Sequence, residues 1–278
     1  MIRIHQSGYE PLLPEMFLFP GGEPHVVVEP RNLRDSRVWI EAHIGNMVDF
    51  GYLMATVNAV SRCKPKRLGL YIPYFPGARQ DHPEPGTPFT LQVYADIVNT
   101  MGAHAVVVAD PHSNVMPALV RCTTIEPKDI LWMVDKITKY NGVICPDSGA
   151  GKRAQAVATL LNVPLYTAGK VRDQKTGKLS GFWVDKLPAQ GRYLVVDDIC
   201  DGGATFVGLA DAVYQQGAYI LDLYVTHGIF SKGYDTLLTK YERIITTDSY
   251  PTLGDRPAAV TVLGITPIAK AIMGRELL

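Results

Sequence analysis

The stretch Tyr193–Phe206 reads YLVVDDICDGGATF. Its first four residues, Tyr193–Val196, are apolar throughout, as in a strand buried on both faces. Two adjacent acids, Asp197 and Asp198, end that strand. A Gly202-Gly203 turn and Thr205 then lead into a helix, because Phe206, Leu209, Ala210 and Val213 fall at i, i+3, i+4 and i+7. Strand, glycine turn and amphipathic helix in series is the repeating unit of an α/β protein with parallel strands.

The rest of the chain repeats this alternation. Further strands are expected at Val26–Val28, Val38–Ile40, Arg67–Ile72, Ala105–Ala109, Gly142–Cys145, Ile220–Val225 and Val260–Leu263. Helical spacing recurs at Leu91, Tyr94, Ala95 and Val98, and at Ala154, Val157, Ala158 and Leu161. About four strands fall in each half, which predicts two similar α/β domains with mostly parallel sheets. The polar stretch Cys122–Asp129, around Pro127, puts the boundary between residues 1–127 and 128–278, with the last segment free to pack back on the first domain.

Composition narrows the function classes. The 278 residues are 47% hydrophobic and 19% charged, with apolar mass for a full core. Lys plus Arg and Asp plus Glu number 27 each, so the basic surplus of a nucleic-acid binder is missing. Cys63, Cys122, Cys145 and Cys200 show no CxxC spacing and are too sparse for a disulfide framework. The opening MIRIHQSGYEPLLPEMF has no apolar signal core, and no run approaches the roughly 20 residues of a membrane span. The expectation is a soluble cytoplasmic protein with neither nucleic acid nor membrane as partner.

In parallel sheets, ligands bind beyond the carboxyl ends of the strands. After Tyr193–Val196, the glycines of DDICDGGATF bring backbone N–H groups close to a phosphate, and the helix end adds partial positive charge. Asp197 and Asp198 suit sugar hydroxyls or a magnesium ion, and their burial requires a partner. After Gly142–Cys145, PDSGAGKRA places Asp147, small residues and the cations Lys152 and Arg153 at a helix start. Cations are unfavourable there unless they face an anion such as a diphosphate; the other reading is a solvated pair. The loop is not a Walker A, because GxxxxGK[ST] is absent. DPHS carries Asp110 and His112, the latter a metal or phosphate ligand or simply structural. YFPGARQD carries Arg79 and Gln80, equally a phosphate-and-base reader or a solvated turn. YTAGKVRDQKTGKLSGF, with Lys170, Arg172, Lys175 and Lys178, reads as a mobile cationic loop.

Taken in order, these motifs resemble the ribose-phosphate diphosphokinase family, the phosphoribosyl-pyrophosphate synthetases. FPGGE (Phe19–Glu23) is similar to the family's FxDGE, YFPGARQD to its YARQD segment and DPHS to DLHA. PDSGAGKRA resembles PDxGGxKRA, and DDICDGGATF resembles DDxxDTxGT. THGIFSKG (Thr226–Gly233) and ITPIAKAI (Ile265–Ile272) resemble its C-terminal segments. The resemblance implies a phosphoribosyltransferase-like fold and transfer of the β,γ-diphosphate of MgATP to the anomeric hydroxyl of ribose 5-phosphate. It implies that Arg79, Gln80 and His112 contact ATP, and that Lys170 and Arg172 are the catalytic pair. Asp197 and Asp198 would hold the ribose hydroxyls, and Asp201, Gly202, Gly203, Ala204 and Thr205 the 5-phosphate. Asp147, Ser148, Gly149, Lys152 and Arg153 would form the diphosphate loop. Magnesium would fall to His112, Asp147 and Asp197. Phe19 and Glu23 would enter the adenine pocket of a neighbouring subunit in a homo-oligomer with shared sites.

The chain departs from the pattern at three places. The acid of FxDGE is Gly21, HPEPGTP (His82–Pro88) follows ARQD, and Gly202 replaces a threonine in the phosphate loop. The last opens space and leaves a 5-substituted ribose such as ADP-ribose as the alternative acceptor. A phosphoribosyltransferase would not need the ATP-side motifs, and an inactive regulatory homologue should lack the Lys170 and Arg172 pair.

Overall fold

Apolar, β-branched runs form the sheet centres, and amphipathic helices cover them. The computed structural model describes residues 1–30, 33–132, 139–172, 179–188, 190–217, 219–251 and 255–278. They divide into two units, one of residues 1–125, 249–251 and 265–278, the other of residues 126–248 and 252–264.

In chain order the first unit holds β1 (Ile2–Gln6), β2 (Glu15–Leu18), β3 (Pro24–Val27), β4 (Arg37–Ala42), α1 (Met47–Arg62), β5 (Arg67–Tyr71), α2 (Thr90–Thr100), β6 (Ala105–Ala109), α3 (Val115–Leu119) and β7 (Thr123–Ile125). The second holds α4 (Pro127–Leu131), β8 (Gly142–Cys145), α5 (Gly151–Leu161), β9 (Leu165–Arg172), β10 (Leu179–Val184), β11 (Arg192–Cys200), α6 (Ala204–Tyr214), β12 (Ile220–Gly228), α7 (Asp235–Leu238), β13 (Arg243–Thr247) and β14 (Val260–Leu263). Finally α8 (Thr266–Glu276) belongs to the first unit.

The first unit's sheet runs β1-β4-β5-β6-β7, antiparallel only at β1–β4, and β2–β3 form a separate antiparallel ribbon. The second unit's sheet runs β10-β9-β8-β11-β12-β13-β14, antiparallel only at β10–β9. Both are thus mixed α/β layers with mostly parallel strands, as the alternation predicted. The helical stripes bury Leu91, Ala95 and Val98 on α2, Ala154, Val157 and Ala158 on α5, and Phe206, Leu209, Ala210 and Val213 on α6. No helix among the described residues is long and apolar enough to cross a membrane.

Two sequence expectations need correction. First, the strand opened by Tyr193–Val196 does not end at the acids. It continues through Asp197 and Asp198 to Cys200, because β12 runs alongside as far as Gly228 and pairs Asp197 with Val225 and Cys200 with Gly228. Backbone pairing is indifferent to side-chain polarity. Second, Lys170 and Arg172 do not sit in a mobile loop. They belong to β9, paired with β10 in an antiparallel hairpin whose register sets Phe182 opposite Lys170. The Phe182 ring lies on Gly208 of α6, leaving no room there for a β-carbon, and so docks the hairpin on the helix. The Arg172 side chain, Lys175 and Lys178 lie outside the described part.

A buried charge cluster ties the first unit together. Glu41 on β4 is fully buried, 2.7 Å from Nε2 of both His5 and His43, and it accepts from Thr266 Oγ1 at 2.8 Å. Arg3 Nη1 stands 3.3 Å away. The His5 ring stacks on Trp39 at 3.7 Å. Burial alone would raise the Glu41 carboxyl, but hydrogen bonds from His43, His5 and Thr266 outweigh it and hold it well below the usual carboxylate range.

Candidate functional site

In the second unit, the acid pair has the partner its burial requires. Arg153, near the start of α5, is 9% exposed and reaches Asp197 Oδ1 at 3.2 Å and Asp198 Oδ1 at 2.6 Å. Its neighbour Lys152 is exposed. Asp198 N donates to Asp197 Oδ1 at 2.9 Å. Burial, and then the charge of Asp198, push the Asp197 carboxyl well above its ordinary range, and Arg153 only partly offsets this. Adjacent carboxylates of this kind suit a divalent cation.

β8 ends beside this pair. Asp147 caps the single 3-10 turn Ser148–Ala150, its Oδ1 accepting from Gly149 N at 3.1 Å. Cys145 Sγ donates to Asp147 O at 2.8 Å, and burial pushes that thiol up to about 11, so it is a structural donor rather than a nucleophile. Ser148 and Gly149 are exposed. Lys170 reaches across from β9, its Nζ 3.5 Å from Asp147 Oδ2. The structure therefore gathers Lys170 from β9, Asp197 and Asp198 from β11, Arg153 from α5 and Asp147 from the loop after β8.

The β11–α6 loop completes the group. Gly203 caps α6 at φ +77°, and a β-carbon there would stand 3.1–3.3 Å from the Leu237 side chain, so conformation and crowding both demand glycine. The first N–H groups of α6 have no intrahelical acceptor, which makes the helix start an anion cradle. Tyr241 Oη holds that start by donating to Phe206 O at 2.8 Å. The segment after β12 is laced to the loop: Ile229 N and Phe230 N donate to Cys200 O, and Ser231 N to Asp201 O. Gly202 is exposed, and the stem of Lys232 runs beside it, with Cδ and Cε each 3.5 Å from where a β-carbon would be. Sequence reading quoted THGIFSKG without giving Lys232 a role, and no local pattern marks it.

In the first unit, the loops after β5 and β6 meet. Ala109 N donates to Pro73 O at 3.1 Å. Asp81 is buried, and its Oδ1 hydrogen-bonds the His82 ring at 2.7 Å. Burial would raise its carboxyl, yet Ser113 and His82 hold it below its ordinary value. Arg79, Gln80 and His112 are exposed on these adjoining loops. Sequence reasoning named Asp81 without giving it a role and did not single out Ser113, in the loop after β6. Phe19 and Glu23 lie at the turn of the β2–β3 ribbon, where Phe19 N donates to Glu23 O at 3.0 Å. A β-carbon on Gly21 would stand 2.6 Å from Glu23 Oε2, so the Glu23 carboxylate itself covers the position where the motif's acid is missing.

Among the described residues no three His, Cys, Asp or Glu side chains form a metal-holding cluster. His112 lies in the first unit, Asp147 and Asp197 in the second. Magnesium typically takes one or two carboxylates and fills its shell with water and phosphate oxygens. Asp197, whose carboxyl is raised by burial and by Asp198 and only partly offset by Arg153, and Asp147 supply the one or two carboxylates that this demands.

No protein-family model matches the chain. The ribose-phosphate pyrophosphokinase of Aquifex aeolicus is 28% identical over 260 residues, 90% of this chain and 83% of that protein. The ribose-phosphate pyrophosphokinase of Mesorhizobium japonicum is 31% identical over 216 residues, 73% of this chain and 68% of that protein. Among solved structures, the phosphoribosylpyrophosphate synthetase of Mycobacterium smegmatis superposes with a TM-score of 0.82 at 23% identity, covering 94% of this chain and 89% of that one.

Proposed function

We propose, for a chain that belongs to the ribose-phosphate pyrophosphokinase family, that it transfers the β,γ-diphosphate of ATP to the C1 hydroxyl of ribose 5-phosphate. The observation that carries the reading is the Asp197–Asp198–Arg153 cluster standing beside a glycine cradle at the start of α6, with Lys170 and Asp147 next to it.

In this reading the sugar C1 oxygen attacks the β-phosphorus of ATP. The new C1–O–P bond forms as the bond from that phosphorus to the α,β-bridging oxygen breaks. AMP leaves with the bridging oxygen, and the hydroxyl proton passes to water. Asp197 and Asp198 accept hydrogen bonds from the ribose hydroxyls and so fix the attacking oxygen. The α6 N–H groups and Thr205 hold the 5-phosphate. Lys170, with Arg172 from the same strand, neutralises charge as it shifts to the bridging oxygen, and alignment supplies much of the remaining rate. On the donor side, Arg79, Gln80 and His112 hold the nucleotide. Magnesium, held by Asp197 with Asp147, would neutralise phosphate charge.

Phe19 and Glu23 are assigned to the adenine pocket of a second copy in a homo-oligomer. The exposure of Met16, Phe17, Leu18 and Phe19 along the ribbon supports this, since contiguous exposed apolar residues mark contact surfaces. The place of work is the cytoplasm, which the free thiols at Cys63, Cys122, Cys145 and Cys200 suit. Gly202 favours a second reading, in which the acceptor is a 5-substituted ribose such as ADP-ribose, because an uncovered loop lets the substituent leave the site.

The test is AMP release from MgATP across ribose 5-phosphate, ADP-ribose and ribose, with Lys170→Ala as control. Release with one phosphorylated acceptor, reduced roughly a hundredfold in kcat by Lys170→Ala with little change in ATP affinity, is expected. No AMP with any acceptor refutes the reading.

A further inference from the structure

Gly202 leaves the phosphate cradle without a side chain at its second position, and a lysine stem occupies the adjoining space. Cδ and Cε of Lys232 lie each at 3.5 Å, and Cγ at 3.8 Å, from the position of a Gly202 β-carbon. These are ordinary van der Waals separations, so the stem lies along the loop without crowding it.

That placement is built into the backbone. Cys200 O accepts from both Ile229 N, at 2.9 Å, and Phe230 N, at 3.0 Å, and Asp201 O accepts from Ser231 N at 3.2 Å. Phe230 is buried and adopts φ +47°, a conformation a bulky side chain adopts only when its surroundings impose it. Gly233, at φ +72°, turns the chain away directly after Lys232. Lys232 is thus held between a strained, buried anchor and a glycine turn, alongside the loop that cradles the anion.

Its ammonium has no acidic partner among the described residues. Arg153 is engaged with Asp197 and Asp198, and Lys170 with Asp147. A phosphate dianion held only by backbone N–H groups and one hydroxyl is short of positive charge, and a lysine supplies that charge as a mobile point cation.

We infer that Lys232 is a specificity-determining residue, supplying the positive charge that binds the phosphoryl group on C5 of the acceptor ribose where Gly202 offers no side chain. The inference rests on the reading of this loop as the acceptor's phosphate site. The shared chemistry is a phosphoryl group on C5. Ribose 5-phosphate presents it as a terminal dianion, and ADP-ribose presents it within a diphosphate.

The experiment compares wild type, Lys232→Met and Lys232→Arg. Methionine keeps most of the stem volume and removes the charge, and arginine keeps the charge. Calorimetry measures binding of ribose 5-phosphate and of ADP-ribose without ATP, and steady-state kinetics then give KM for the acceptor and for ATP. Lys232→Met is expected to weaken binding and raise the acceptor KM roughly tenfold or more, as for loss of a charge-assisted hydrogen bond to a phosphoryl group. The ATP KM stays within about twofold, Lys232→Arg restores most of the loss, and added salt narrows the gap between wild type and Lys232→Met. A loss confined to one acceptor identifies the source of the phosphoryl group. Acceptor affinity within twofold of wild type in Lys232→Met overturns the inference. A wild-type chain that binds an acceptor but releases no AMP refutes the proposed reaction and leaves the role of Lys232 to the binding data. A wild-type chain that binds neither acceptor refutes the site and the inference together.

Discussion

Replacing Arg153 with methionine removes a guanidinium that Asp197 and Asp198 share. The side chains of Asp197 and Asp198 are 14% and 4% exposed, and Arg153 meets them at 3.2 and 2.6 Å. Methionine fills most of the volume, so the cost is electrostatic. Breaking a buried ion pair while its acid stays buried costs about 3–5 kcal/mol, a large part of the roughly 5–15 kcal/mol that holds a domain folded. The loss is read by amide hydrogen exchange over residues 192–214, which reports the opening energy of the second unit. Adding Asp198→Asn removes one of the stranded charges and is expected to return at least about 1.5 kcal/mol, a coupling characteristic of groups in one network. A deficit under about 0.5 kcal/mol for Arg153→Met, or simple additivity in the double variant, would refute the claim that Arg153 neutralises the pair.

Two further outcomes follow from other parts of the molecule. Gly203→Ala, at φ +77° with Leu237 3.1–3.3 Å from the added carbon, should cost about 1–2 kcal/mol of stability and weaken acceptor binding, both measurable by thermal shift with and without ribose 5-phosphate. The folded-state carboxyl of Glu41 is depressed below its ordinary 4.5, so its stabilisation is present above that pH and is lost as pH falls from about 4.5 toward the folded value. Wild-type stability should decline over this acid range, and Glu41→Gln should flatten the decline; a parallel acid profile in the variant would rule Glu41 out.

Much of this was legible in the sequence, for reasons that also explain the rest. Central parallel strands such as Gly142–Cys145 and Ala105–Ala109 are buried on both faces, so their composition alone reveals them. The helical stripes on α2, α5 and α6 are equally visible because one face is buried and the other wet. The β9–β10 hairpin was hidden because its polar, glycine- and lysine-containing strands take their stability from pairing and from Phe182 lying on Gly208. The need for a partner to Asp197 and Asp198 was readable from burial cost, but its identity was not. Arg153 looked like an anion ligand, and only the fold turns it toward the acids. Glu41 lies just past the apolar run Val38–Ile40, and although His43 is close by in sequence, its partners His5 and Thr266 come from β1 and α8. Lys232 likewise gains meaning only when β12 brings it beside Gly202.

In the proposed reaction the acceptor's C1 oxygen attacks the β-phosphorus of ATP. Phosphorus NMR of the chain with MgATP and ribose 5-phosphate, repeated with ADP-ribose, tests it directly. The β and γ signals of ATP are expected to give way to a diphosphate bonded to the sugar C1, with AMP as the nucleotide product in equal amount. ADP as the nucleotide product, or free inorganic diphosphate with no sugar-bound signal, would contradict it.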